Sequence, residues 1–214
     1  MCRNLSVTLA FLVLPLIASA ANPRFALKAG IATAEQEFNY TYLGSPDFDS
    51  RTGLDIGLSA EWPLLRPISL GAEVHYVQKG MVIRFLQLDY ARAPTGRSIS
   101  RLDNRVDYIS LPLALRASMP LGNHRFFLLA GPRVDLKIGH EWPFEEDILY
   151  SEFDKSVIGA IVGVGAVIEV DRAMGLLFEA NYHHDYSHSY RSHLLTVKNR
   201  SWQILIGIEF QGGG

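Results

Sequence analysis

The stretch Asn181 to His193, NYHHDYSHSYRSH, places four of the chain's seven histidines within thirteen residues, beside Asp185, Ser187 and Ser189. Neutral imidazoles bind zinc or copper, and a serine, a histidine and an acid together can make a nucleophile with its base. His184 and His188 have the spacing of a metal pair on a helix. On a strand that spacing separates them by about 13 Å, at a rise of ~3.3 Å per residue, which is too far to share one ion. His183 and His184 would then face opposite sides. The nucleophile reading lacks a Gly-x-Ser-x-Gly elbow, and side chains on one face of one strand do not converge as a triad requires. What this stretch does therefore depends on the element that carries it.

The first residues set the compartment. Residues 1–20 have one basic residue, Arg3, an apolar run from Leu5 to Ile17, and the small-residue pattern Ala18-Ser19-Ala20. This is the pattern of a cleaved Sec-type signal peptide, and the run is shorter than the roughly 20 residues of a spanning helix. The domain is then 21–214. Its formal charge falls from −2 for the whole chain to −3 with the loss of Arg3, so no basic surface argues for nucleic acid. The single cysteine, Cys2, leaves with the leader. An exported domain without disulfides must be held by its own core or by a membrane.

Hydrophobic periodicity defines the elements. In GLDIGLSAEW (53–62), Leu54, Ile56, Leu58, Ala60 and Trp62 alternate with small or polar residues, which predicts a strand with unlike faces. The alternation recurs near 25–34, 68–78, 105–118, 125–138, 157–170, 175–186 and 200–210, making eight strands. Short links, PLLRP (63–67), PLGNH (120–124) and DRAM (171–174), alternate with longer ones at 35–51, 79–104, 140–155 and after 186. Such an order puts all short turns at one end of an up-and-down meander and all long loops at the other.

One strand phase, exemplified by Leu27, Val74, Leu115, Leu128, Val164 and Ile206, carries no charge. The other holds Lys28, Asp55, Glu61, Lys137 and Asp185, together with Glu73, Arg116, Arg125, Arg133, Asp135, Glu169, Glu179 and Glu209, interspersed with glycines. Glycine would weaken a solvated strand face for no gain, whereas it leaves room opposite large side chains in a narrow barrel lumen. Acids and bases mixed on one face can pair there. The expected fold is all-β: an eight-stranded antiparallel up-and-down transmembrane β-barrel with short periplasmic turns and long extracellular loops. The last eight of those charged residues are expected to form a lumen network. The outward stripe of Tyr182, His184 and Tyr186, with Trp62, Tyr76 and Trp202, is expected at the membrane interfaces, and Asn181, His183 and Asp185 at the lumen mouth.

VHYVQKG (74–80), DYISLPLALR (107–116), FFLLAGPRVDLKIG (126–139), GAIVGVGAVIEV (159–170) and VKNRSWQILIGIEF (197–210) together resemble successive strands of the PorT-like outer membrane β-barrel proteins. The resemblance implies an eight-stranded barrel in the bacterial outer membrane and an association with protein secretion. It also implies local bulges at Pro112 and Pro132, which fall inside strands where proline removes a ladder hydrogen bond. Phe210 takes the place of the terminal aromatic that the barrel assembly machinery reads, with Gln211 to Gly214 as a tail beyond it.

The sequence thus points to a non-enzymatic outer membrane protein with a structural or interaction role, needing no cofactor and no metal. Its expected partners are outer membrane lipids, the assembly machinery during insertion, and envelope or secretion-system proteins. Two alternatives carry different consequences: a lipid-modifying barrel enzyme using residues such as His183 and Ser187, and a soluble periplasmic lipocalin-like carrier.

Overall fold

The computed structural model describes residues 23–40, 49–88, 94–141, 154–191 and 195–211; the expected leader, the tail after Gln211 and most of the long link expected at 140–155 lie outside them. The strands are β1 (Arg24–Tyr40), β2 (Asp49–Leu65), β3 (Ile68–Leu88), β4 (Pro94–Leu121), β5 (His124–Glu141), β6 (Ser156–Glu169), β7 (Met174–Asp185), β8 (Tyr190–Arg191) and β9 (Leu195–Gln211). Consecutive strands pair antiparallel, except that β7 pairs with β9. The two-residue β8 continues the line of β7 against Thr196 and Val197. β9 also pairs with β1, from Arg24 opposite Gln211 to Tyr40 opposite Leu195. The sheet is therefore closed, with an eight-stranded wall and no free edge along that seam.

Alternation in sequence becomes alternation in burial. In β2, buried Gly53, Asp55, Gly57, Ser59 and Glu61 alternate with exposed Leu54, Ile56 and Leu58. Leu128 and Ile204 expose 62% and 64% of their surface, while Lys28 is fully buried and Arg116 nearly so. This inverts the order of a soluble protein and places an uncharged apolar band on the outside of the wall. A lipocalin-like carrier would have the opposite arrangement, with an apolar interior. The lumen is not uniformly polar, however. Phe127, Leu129, Ile161, Val167 and Leu177 form a buried apolar cluster with Ala26 and Ala114 on the inner face.

Short turns close one end. Gly122, with φ at 62°, supplies the left-handed residue that the two-residue link between β4 and β5 needs. Between β6 and β7, the Asp171 carboxylate accepts from the amides of Ala173 and Met174 at 2.7 and 2.8 Å, a side-chain-stabilised turn.

Two expectations are corrected. The loop expected at 79–104 is mostly strand: β3 and β4 stay paired from Lys79 opposite Val106 to Leu86 opposite Ile99. Pairing is still present at Leu88 opposite Pro94, and residues 89–93 lie outside the described ones. Nor do the prolines create bulges. The β3–β4 register is the same at Ala72–Leu113 as at His75–Ser110, and the β4–β5 register is the same at Pro112–Arg133 as at Leu115–Ala130. The wall absorbs each proline as a local loss of pairing without slipping, because a one-residue slip would turn every charge toward lipid.

The apolar band yields a direct expectation. Ile206 lies on the outer face, half exposed. Ile206→Arg is expected to destabilise the barrel by roughly 2–4 kcal/mol in lipid vesicles, the cost of a base near the bilayer midplane. Denaturant unfolding would measure it, and a loss below 1 kcal/mol would contradict the face assignment.

Candidate functional site: the charged interior

The inward phase of the wall brings residues distant in sequence onto one axis, in three layers. Nearest the short turns, Arg125 of β5 donates to Glu209 of β9 at 2.6 Å and to Glu61 of β2 at 3.3 Å. Glu61 also accepts from Arg24 at 3.0 Å and from the Ser69 hydroxyl at 2.8 Å. Midway, the Lys28 ammonium of β1 bonds Glu73 of β3 and Glu179 of β7, each at 2.9 Å. Arg116 of β4 bonds the same two carboxylates and reaches down to Glu61 at 3.3 Å. In the layer nearer the long loops, Lys79 of β3 donates to Asp135 of β5 at 2.6 Å. Arg133 bonds Asp135 at 3.0 Å, His183 Nδ1 at 2.7 Å, and Asp185.

His75 of β3 adds Asp55 of β2 to the middle layer. Its Nδ1 lies 2.7 Å from Asp55 and its Nε2 lies 2.8 Å from Glu73. A ring with a carboxylate at each nitrogen donates from both, which only imidazolium does. With His75 charged, the seven carboxylates of these layers, Asp55, Glu61, Glu73, Asp135, Glu179, Asp185 and Glu209, face seven positive groups: His75, Lys28, Lys79, Arg24, Arg116, Arg125 and Arg133. Ions taken from water into such a medium are tolerated when paired and hydrogen-bonded, and this balance meets that condition.

Space for the long side chains comes from glycine. A Cβ at Gly57 would strike the His75 ring, one at Gly165 the Phe127 ring, and one at Gly159 the Arg133 guanidinium. Arg116 and Arg125 both lie over Phe127, their guanidinium carbons 4.8 and 5.8 Å from its centroid. The apolar cluster thus grips the bases that the acids orient.

Of the residues expected in the lumen network, Glu73, Arg116, Arg125, Arg133, Asp135, Glu179 and Glu209 lie in these layers. Glu169 does not. It is exposed where β6 ends, its amide bonded to the Asn123 carbonyl at 3.2 Å, because the strand has by then passed the end of the lumen. His75 and Lys79 enter the network without having been expected there. Asn181, His183 and Asp185 are not at an open mouth but buried within the wall's interior: Asn181 donates to Glu179 at 2.7 Å, and Asp185 accepts from the Asn199 side chain at 3.1 Å.

On the outside, Tyr182 and Trp202 pack with ring centroids 4.8 Å apart, Tyr182 and His184 stack at 6.4 Å, and His184 meets Tyr186 edge-on at 5.8 Å. Tyr76 is half-buried, with its hydroxyl 3.1 Å from Gln78 Nε2, and Trp62 is half-buried on the outer face near the short turns. Phe210 faces outward in the last strand, opposite Phe25 and Met174.

Chemically, this interior is a plug. Every carboxylate of the three layers is bonded to an arginine, a lysine or an imidazole. His183 and Asp185 are both tied to Arg133, and Ser187 Oγ accepts from the Ile158 amide at 2.8 Å. The three do not form an acid, base and nucleophile chain.

A closed barrel with an apolar exterior and paired charges inside defines an integral β-barrel membrane protein of the outer membrane type. The profile of the outer membrane protein beta-barrel domain matches residues 22–190, and the chain belongs to that family. Its fold is similar to that of OprG from Pseudomonas aeruginosa, with a TM-score of 0.53 and 10% identity over 91% of this chain and 98% of that one. It is also similar to the outer membrane protease OmpT from Escherichia coli, with a TM-score of 0.52 and 12% identity over 90% and 97% of the two chains. These likenesses are of fold alone, and a protease shares it with a protein of no stated activity. No curated protein matches the sequence. The family places the chain in the bacterial outer membrane, with the short turns toward the periplasm and the long loops outside.

Lys28→Met is expected to cost about 3–5 kcal/mol, the penalty of leaving buried carboxylates without a partner. Unfolding of the variant in detergent or vesicles against the parent barrel would show it; an unchanged midpoint would remove the network from the account of stability.

Proposed function

We propose that this protein is a non-enzymatic, non-conducting barrel that anchors and docks partners in the outer membrane, in association with protein secretion. The observation that carries the reading is the ion-paired filling of the lumen: one network runs from Glu61 through Glu73 and His75 to Asp55, and a second joins Lys79, Asp135, Arg133 and Asp185. In eight-stranded barrels the lumen is only wide enough for side chains to fill, and here those side chains hold each other across it. A site for turnover would need an acid or base free to change its bond, and the acids of these layers are all engaged. Function then falls to the two ends and to the outer wall. The secretion association rests on the strand motifs that resemble PorT-like proteins.

Two outcomes are expected. Purified barrel in planar bilayers should show no large, steady ion conductance; a persistent open level would contradict the plug. Crosslinking in native outer membranes, followed by recovery of the intact protein, should enrich specific envelope or secretion-system proteins over an unrelated eight-stranded barrel, and the same background for both would overturn the docking role.

The lipid-modifying alternative makes its own claim. His183→Ala and Ser187→Ala should leave lipid A acylation and phospholipid composition unchanged by mass spectrometry, and a shift in either would favour an enzyme.

A further inference from the structure

At the periplasmic end, below the Glu61–Arg125–Glu209 layer, the lumen opens into a cavity of about 760 Å³. Arg24, Ser69, Ser118, Arg125 and Gln211 line it from the inward phase of their strands. Leu64, Leu65 and Ile68 complete its wall beside them. Above its floor the plug closes the way, so a chain that enters cannot pass through. Pro63, Pro67 and Pro120 stand in its wall; they offer no amide donor and fix the local backbone, which leaves a shape already formed. Leu64 and Leu65 give it an apolar side, and Leu65 is 76% exposed where β2 ends.

Charge selects the occupant. Three arginines line the cavity and no acid does. Arg24 and Arg125 are held from behind by Glu61 and Glu209, while Arg66 is exposed in the turn between β2 and β3, and no carboxylate is paired with it among the described residues. A blind, preformed cavity with an apolar wall and a guanidinium at its lip fits one class of ligand well: an apolar chain end that terminates in a carboxylate.

We propose that this vestibule binds the C-terminal carboxylate of an extended, apolar-ended segment of a periplasmic protein. The inference rests on the docking role above and assigns it a surface. A phospholipid headgroup is the other anion near this end, and its occupation of the vestibule in place of a peptide would show as the absence of saturable peptide binding.

The test uses the full barrel in lipid nanodiscs and a fluorescein-labelled peptide ending in two leucines, either as the free acid or as the C-terminal amide. The free acid should bind saturably. Amidation, or Arg66→Glu in the barrel, should each weaken binding roughly tenfold or more, the worth of a charge-assisted hydrogen bond, while Arg66→Lys should retain part of it. Heat-modifiable migration of Arg66→Glu on a gel establishes that the variant is folded. Equal binding of acid and amide, indifference to Arg66→Glu, or the absence of saturable binding would each overturn the proposal. Recovery of specific membrane partners that is unchanged by Arg66→Glu would sink the vestibule and leave the docking role standing.

Discussion

Charges buried inside a narrow barrel must find partners, and in this protein those partners lie on strands far apart in sequence. Lys28 and Glu179 are 151 residues apart, and Arg125 and Glu209 are separated by 84. Neither pair can form until the sheet has curled, and the curled sheet would bury unpaired ions without them. Closure and pairing are therefore one event. The rest of the architecture follows from it: glycines opposite long side chains, a register that holds past two prolines, and an outer band left free of charge for lipid.

This constraint explains why so much of the fold was legible in the sequence. A period of two with unlike faces identifies strands, alternating short and long links order them, and glycine among charges identifies the inside. The failures have the same root. From Met81 to Ile83 the sequence reads MVI, apolar on both phases, and Arg84 follows, so the two-residue period gives no end for β3 and leaves Lys79 in the expected loop. In the structure Lys79 is fully buried against Asp135, over the face of Tyr108. The buried cluster around Phe127 and Leu129 was hidden likewise, because FFLLA offers apolar residues to lumen and lipid alike. Glu169 satisfies the phase yet lies beyond the lumen, since periodicity records direction and not depth. Local chemistry alone predicts bulges at Pro112 and Pro132, and the whole-sheet register overrides it.

The histidine-rich stretch divides along the same line. His184 and the tyrosines beside it belong to an outer aromatic stripe with Trp202, suited to the headgroup layer where a ring meets both hydrocarbon and water. His183 and Asp185 belong to the plug and are bound to Arg133. Residue types that suggest catalysis in one dimension are separated by a strand's two faces in three. Where the paired charges stop, the barrel presents a long hairpin at one end and an arginine-lined vestibule at the other.

The central claim is that the ion pairs act as one unit that holds the barrel closed. A double-mutant cycle on Lys28→Met and Glu179→Met, followed by reversible unfolding in lipid, measures it most directly. Interlocked pairs predict a coupling of about 2 kcal/mol or more between the two positions. Losses that add within about 0.5 kcal/mol would mean that the charges fill the lumen without holding it.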